Sequence, residues 1–328
     1  MSITDEYGRK IDYLRISVTD RCNLRCYYCM PPEGVPSRPH EDILRYEEIE
    51  RVARAAAGLG FSKIRLTGGE SLVRKGIVDL VRMLSQVPGI HDLSMTTNGT
   101  LLSRFASSLA RAGLKRVNVS LDTLDEEEYA RITRGGRLSD ALEGIESAQR
   151  AGLTPLKINT VVLRGLDDDQ VCNLASLTLQ HHWHVRFIEL MPLRWNAQHY
   201  RADFMSNERV RAAILRRLGT LAPAESVPGN GPAQYYRLPG ALGTIGFISP
   251  ISEHFCDRCN RLRLTADGKL RPCLLSDREI DIKPALRGGA GMAEIQGWLM
   301  KAIMAKPAGH RLSQEILPCA RGMSEIGG

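Results

Sequence analysis

Aromatic residues are scarce in this 328-residue chain, at 5%. So few rings make poor stacking platforms for the bases of a polynucleotide. Basic runs are missing as well: the 44 lysines and arginines are interspersed with 37 acids, and nowhere do five basic residues stand together. The net charge of +7 therefore suits a small phosphorylated substrate better than a nucleic acid polymer. No apolar stretch approaches the roughly 18 residues of a membrane span. The opening MSITDEYGRK lacks the apolar core of a signal peptide. No membrane partner is expected, and the expected compartment is the reducing cytoplasm. Eight cysteines in that setting read as metal ligands, not disulfides. The rest of the composition, 43% hydrophobic and 25% charged, is that of an ordinary globular protein. Its length allows one large domain with an extension, or two domains.

Cys22, Cys26 and Cys29 stand together in RCNLRCYYCM at the spacing C-x3-C-x2-C. They follow the apolar, β-branched run LRISVT, which places them on a loop at the C-terminal end of a strand. An iron–sulfur cubane normally takes four cysteines. Three ligands leave one iron free for something that is not protein, as an open coordination position does at a catalytic metal. A zinc site completed by His40 is the alternative, although zinc motifs more often use a C-x2-C pair.

The spacing, with Tyr28 before the last cysteine, resembles the signature of the radical S-adenosylmethionine (SAM) enzymes. The resemblance implies a [4Fe–4S] cluster whose open iron chelates SAM. Reductive cleavage of SAM would then yield a 5′-deoxyadenosyl radical.

Short β-branched runs at 13–19, 63–67, 92–97, 115–121, 156–163 and 184–190 alternate with amphipathic stretches near 46–59, 75–86, 101–112, 139–151 and 168–181. Such alternation predicts parallel strands joined by crossover helices. The pattern allows an open doubly wound sheet or a partial barrel; the radical SAM resemblance implies an incomplete (β/α)6 TIM-like barrel. Polar groups recur at the strand ends: Thr67-Gly68-Gly69-Glu70, then Thr96 to Gly99, then Ser120 and Asp122, then Glu189 to Met191. Chemistry gathers at that end in folds of this kind. Arg15, Arg65 and Lys157 sit inside otherwise apolar strand patterns, where a charge is costly unless it is paired or faces a polar cavity. Together they suggest a cationic lining for a phosphorylated substrate. From about 192 to 242 the sequence turns proline- and glycine-rich, interrupted by a helix near 207–218. The expected division is a barrel over 1–191 and a covering region over 192–328.

A second constellation follows in HFCDRCNRLRLTADGKLRPCLL, with Cys256 and Cys259 as a C-x2-C pair and Cys273 after thirteen intervening residues. The intervening segment predicts a hairpin turning at Asp267-Gly268, which brings Cys273 back beside the pair. Zinc completed by Cys319 or His254 and an iron–sulfur cluster are equally open from the residues alone. Arg261 and Arg263 alternate along one strand and share a face next to this site, where two guanidiniums can take phosphates.

Two incomplete triads, the second followed by NRLR, together with TGGE, VNVSLD, KINTVV, FIELM and a C-terminal Gly327-Gly328, resemble the GTP 3′,8-cyclase family, the molybdenum cofactor biosynthesis A proteins. The family resemblance implies two [4Fe–4S] clusters, the second contacting the guanine of GTP. It implies hydrogen abstraction from C3′ of the ribose, bonding of C3′ to C8, and the product (8S)-3′,8-cyclo-7,8-dihydroguanosine 5′-triphosphate, the first committed step toward molybdopterin. Carried over by position, SAM contacts fall to Tyr28, Gly69, Glu70, Ser120 and Met191. GTP contacts fall to Arg15, Arg65, Thr96, Lys157, Arg261, Leu262 and Arg263. Catalytic roles fall to Arg261, Arg263 and the Gly327-Gly328 tail, which inserts toward the active site. An external one-electron donor, a downstream cyclic pyranopterin monophosphate synthase and a homodimer are implied as partners. The family reads GGEP where this chain has Ser71 in place of the proline, and that serine is expected to cap the helix that follows. The alternatives are a radical SAM enzyme acting on a peptide or RNA, and a non-enzymatic metal-binding or electron-transfer protein. Cys172 and Cys319 fall outside both triads.

Overall fold

The computed structural model describes residues 3–36, 38–225, 227–229, 231–310 and 320–328; Cys319 lies outside them. Six parallel strands alternate with helices as the patterning predicts: β1 (Tyr13–Ser17), β2 (Lys63–Thr67), β3 (Asp92–Thr97), β4 (Arg116–Ser120), β5 (Lys157–Val162) and β6 (His184–Glu189). The helices between them are α1 (Tyr46–Gly58), α2 (Ile77–Ser85), α3 (Leu102–Arg111), α4 (Glu126–Thr133), α5 (Leu138–Arg150) and α6 (Asp168–Gln180). Local chemistry starts them. Asp167 accepts from the Gln170 N–H at 2.8 Å at the head of α6, and Asp125 accepts from the Glu128 N–H at 2.7 Å at the head of α4. Ile49, Val52, Ala53 and Ala56 form the buried stripe of α1.

The chain beyond residue 191 does more than cover the barrel. After α7 (Tyr200–Asp203) and α8 (Asn207–Leu218) come β7 (Ala222–Pro223), β8 (Gln234–Arg237), β9 (Thr244–Ile248), β10 (Arg261–Leu264), β11 (Lys269–Arg271) and β12 (Ile280–Asp281). The sheet order is β12-β11-β10-β1-β2-β3-β4-β5-β6-β9-β8-β7. Thus β9 adds in parallel to β6 and β10 in parallel to β1, so the second half of the chain extends both open edges of the six-stranded sheet. The β10–β11 hairpin forms at the predicted turn. Then α9 (Lys283–Arg287) and α10 (Met292–Met304), which packs on α1, lead to a terminal turn, α11 (Met323–Ile326).

Strand alternation sorts side chains into two layers. Leu14, Ile16, Ile64, Leu66, Val117, Val119, Val185, Phe187, Leu262 and Leu264 all face the helices in one continuous apolar core. The alternate positions face the barrel interior, and their register is informative. Arg15 is paired with Arg65 on one side and Arg263 on the other, Ser94 with Arg116, Asn118 with Lys157, and Asn159 with Arg186. The interior is thereby ringed with cations.

Candidate active site

The loop leaving β1 carries Cys22, Cys26 and Cys29 because the strand ends at Ser17 and the chain must turn over the barrel mouth. The Thr67–Glu70 segment leaving β2 is bonded against that turn: the Gly69 N–H donates to Thr19 O and the Glu70 N–H to Arg21 O, each at 2.8 Å. A Cβ at Gly69 would lie 2.3 Å from Arg21 O, so only glycine permits this approach. Ser71 does not cap the following turn. Glu70 does, accepting from the Leu72 N–H at 2.9 Å, while the Ser71 hydroxyl donates to Thr96 O at 3.4 Å. The longer carboxylate reaches back over the turn, and the serine hydroxyl is drawn across to the neighbouring strand.

Burial and acidic neighbours dominate the first triad. Desolvation, then the Glu70 carboxylate, pushes the Cys22 thiol up to about 11. Desolvation, then the charge of Cys22, pushes Cys29 to about 12, with the Ser324 N–H acting against the rise. Cys26 is raised by burial and by Asp122. Asp122 accepts from the Tyr28 hydroxyl at 2.7 Å, and burial lifts its own carboxyl to about 6.

The second triad sits in cationic surroundings. Cys256 and Cys259 flank a single 3₁₀ turn (Cys256–Arg258), and the following β10 fixes Arg261 and Arg263 beside them. Burial is the largest influence on Cys259 and would raise it, but Arg261 and Lys306 overcome that and bring it down to about 6. Arg9 braces the loop, donating to Cys256 O at 2.7 Å while its Nε pairs with Asp5 at 2.7 Å.

Both triads open onto one cavity of about 310 Å³. Tyr28, Gly69, Thr96, Ser120 and Met191 line it, and so do Arg15, Arg65, Arg261, Arg263 and Gly328. Four predicted residues stand elsewhere. Glu70 is fully buried, and its oxygens accept from Leu72, the Thr97 hydroxyl and the Asn98 N–H. Leu262 turns its side chain into the core, leaving its backbone to the site. Lys157 donates to Pro228 O at 2.6 Å, beneath the loop that crosses β5. Gly327 stands behind Gly328, at φ +90°, where a Cβ would lie 2.3 Å from the Thr67 hydroxyl; its carbonyl accepts from Arg263 at 2.5 Å.

Two further basic residues complete the interior. Arg186 lines the cavity, and Arg116 pairs with Asp92. Each stands in an apolar strand pattern, HVRFIEL and KRVNVSL, the same signal that marked Arg15 and Arg65. Burial and crowding depress Lys157 and Arg263: desolvation and then Arg186, Arg116 and Arg65 bring Lys157 down to about 6. Desolvation and then Arg261 bring Arg263 to about 10. Arg15 Nε, Arg186 Nε, Arg116 Nη1, Asn159 Oδ1 and Thr96 Oγ1 are buried without a partner among the described residues. The donors among them, the three arginine nitrogens and the Thr96 hydroxyl, come from several strands and are what a bound polyanion would satisfy, whereas Asn159 Oδ1 is an acceptor.

The zinc readings fare poorly. His40 and His254 are exposed, and neither lines the cavity. Among the described residues no three Cys, His, Asp or Glu side chains close around a single metal ion. A cubane asks for less convergence, because each thiolate binds its own iron. Free thiols in threes around an enclosed cavity therefore fit a cluster with an open iron.

Comparison with known proteins agrees. The sequence profile of the radical SAM superfamily matches residues 16–178, and that of Molybdenum Cofactor Synthesis C matches residues 183–312. A GTP 3′,8-cyclase of Pelotomaculum thermopropionicum is 57% identical over 324 residues, 99% of each chain. The chain belongs to the GTP 3′,8-cyclase family. Another member, from Moorella thermoacetica, is 52% identical over 99% of each chain. The crystal structure of Streptococcus suis SuiB bound to S-adenosylmethionine has the same fold, with a TM-score of 0.59 over 89% of this chain and 69% of that one, at 16% identity. The chain is thus an enzyme of the radical SAM class, with SAM and [4Fe–4S] clusters as cofactors. No described helix is long and apolar enough to cross a membrane.

Proposed function

We propose that this protein cyclises GTP to (8S)-3′,8-cyclo-7,8-dihydroguanosine 5′-triphosphate, the entry to molybdenum cofactor biosynthesis. The observation that carries the reading is one cavity lined by both cysteine triads and by Arg15, Arg65, Arg186, Arg261 and Arg263. Cys22, Cys26 and Cys29 would hold the cluster that binds SAM; Cys256, Cys259 and Cys273 would hold the one that meets the guanine. When bound, the first cluster and SAM supply a 5′-deoxyadenosyl radical able to take the hydrogen from C3′ of the ribose.

The protein's part is positioning and exclusion of water. Arg15, Arg65, Arg186 and Arg263 line the interior and would hold the triphosphate, with Lys157 joining them once a phosphate oxygen replaces Pro228 O. Tyr28, held by Asp122, and Gly69, Ser120 and Met191 border the SAM end. Thr96 lines the same cavity, and Arg261 stands beside the second triad. Glu70 keeps the Thr97-Asn98 turn in place. The tail brings Gly328 to the cavity and commits one arm of Arg263 to Gly327 O. Leu274, Leu275 and Met323 form an apolar rim that keeps water from the reacting centre.

The division of labour after Met191, a homodimer, a cytoplasmic location, an external one-electron donor and hand-over to cyclic pyranopterin monophosphate synthase belong to the same reading. Anaerobic incubation of the reconstituted protein with dithionite, SAM and GTP tests it. Deoxyadenosine together with a cyclised GTP is the expected outcome; deoxyadenosine without that product, or neither, refutes the assignment.

A further inference from the structure

Lys306 lies just beyond α10, 47 residues after Cys259 in sequence, yet its ammonium is bound into the second triad. Only 4% of the residue is exposed. Its Nζ donates to Cys259 Sγ at 3.3 Å, to Arg261 O at 2.9 Å and to Pro272 O at 2.9 Å. A lysine ammonium has three donors, and these three acceptors use them all. The two carbonyls lie between Cys259 and Cys273, one two residues after the first and the other immediately before the second, so one side chain ties together the segments that carry two of the three thiols.

The partners are unusual for a buried cation. No carboxylate is paired with Lys306 among the described residues, and an ammonium removed from water without a counter-charge is costly. A ligating cysteine is a thiolate, which supplies the missing negative charge. Among the described residues no ammonium or guanidinium donates to a sulfur of the first triad: the donors to Cys22 Sγ are neutral, the Leu24 N–H at 3.4 Å and the Asn98 amide at 3.9 Å.

We propose that Lys306 is a positioning and charge-tuning residue for the cluster of the second triad, hydrogen-bonding the ligating Cys259 sulfur and making that cluster easier to reduce. Hydrogen bonds to the sulfurs and nearby charge set the potential of an iron–sulfur cluster, and a fixed ammonium offsets the negative charge that reduction adds. The proposal rests on the reading above that Cys256, Cys259 and Cys273 hold a cluster.

The test uses full-length reconstituted protein, kept anaerobic, as wild type, Lys306→Met and Lys306→Arg. Midpoint potentials of both clusters are read by EPR-monitored titration. The expected result is a lower midpoint for the second cluster in Lys306→Met, an unchanged first cluster, and recovery toward wild type in Lys306→Arg. Equal second-cluster midpoints in wild type and Lys306→Met overturn the proposal. Should Lys306→Met retain too little iron to titrate, wild-type enzyme grown with ¹⁵N-lysine decides the matter. A lysine ¹⁵N coupling in the pulsed EPR of the second cluster supports the contact, and its absence overturns it. Wild-type protein with about four irons instead of about eight removes the two-cluster reading and the proposal together. About eight irons with unmoved midpoints removes only the role of Lys306.

Discussion

The two cysteine triads share a cavity and a ligand count but differ in the charges beside them. Around Cys22, Cys26 and Cys29 the charged neighbours that add to burial are the Glu70 and Asp122 carboxylates, with Arg25 opposing them at Cys22, and the thiols are pushed upward. Around Cys259 they are Arg261 and Lys306, and the thiol is pulled down to about 6. Anionic surroundings oppose the charge that reduction adds to a cluster, and cationic surroundings favour it. In the proposed function that contrast suits the first site to delivering the electron that cleaves SAM. In the same proposal the second site offers the guanidiniums of Arg261 and Arg263 to a nucleotide. Equal ligand sets do not make equal sites; the charges a few ångströms away separate them.

The largest test of that comparison is Cys22→Ser. We expect deoxyadenosine formation to fall to background while the second cluster's EPR signal survives; loss of both signals would mean that the sites are not independent. Removal of Gly327 and Gly328 should come next. It releases Arg263 and empties one wall of the shared cavity, so iron content and SAM cleavage should persist while cyclised product disappears. An undiminished product yield would show that the tail has no part in the site.

A smaller effect concerns the cationic interior. Lys157, with its pKa at about 6, is neutral at pH 8 in the empty protein. A triphosphate held against it would restore the charge, so GTP binding at pH 8 should take up a proton that is lost in Lys157→Met. Calorimetry in buffers of different ionisation enthalpy measures this, and equal uptake in both proteins would exclude Lys157. The same burial has a consequence for folding. Between pH 10 and pH 6 the unfolded chain binds a proton that the folded one does not, so this residue's contribution to stability falls as the pH is lowered. The smallest effect belongs to Cys172, which lies on α6 with its thiol 3.8 Å from Ala213 O on α8. Cys172→Ala should leave iron content unchanged and cost about 1 kcal/mol in stability; iron loss would add a ligand to one triad and undo the symmetry of the pair.

Much of the barrel is legible in the sequence. The runs at 63–67 and 92–97 are the observed strands, and the helix near 207–218 is Asn207–Leu218, because period-2 and period-3.6 patterns are local properties. The basic residues in apolar strands were legible for a related reason: inward positions alternate with core positions, so a charge that breaks the apolar alternation marks the interior. The docking of β9 and β10 on opposite edges of the sheet was not, since pairing between strands far apart in sequence leaves no periodic trace. Nor was the withdrawal of Glu70 into a backbone cradle, or the cover that Pro228 places over Lys157.

By itself, then, the sequence determined the ligand loops. C-x3-C-x2-C and C-x2-C are short enough for covalent geometry to bring their thiols together, and the hairpin at Asp267-Gly268 returns Cys273 to its pair. Only the tertiary structure decided that the two loops line one cavity. It also decided which charges stand beside each. Lys306 reaches Cys259 from 47 residues away, and Glu70 and Asp122 approach the first triad from different strand ends, because electrostatic influence follows distance through space and not distance along the chain.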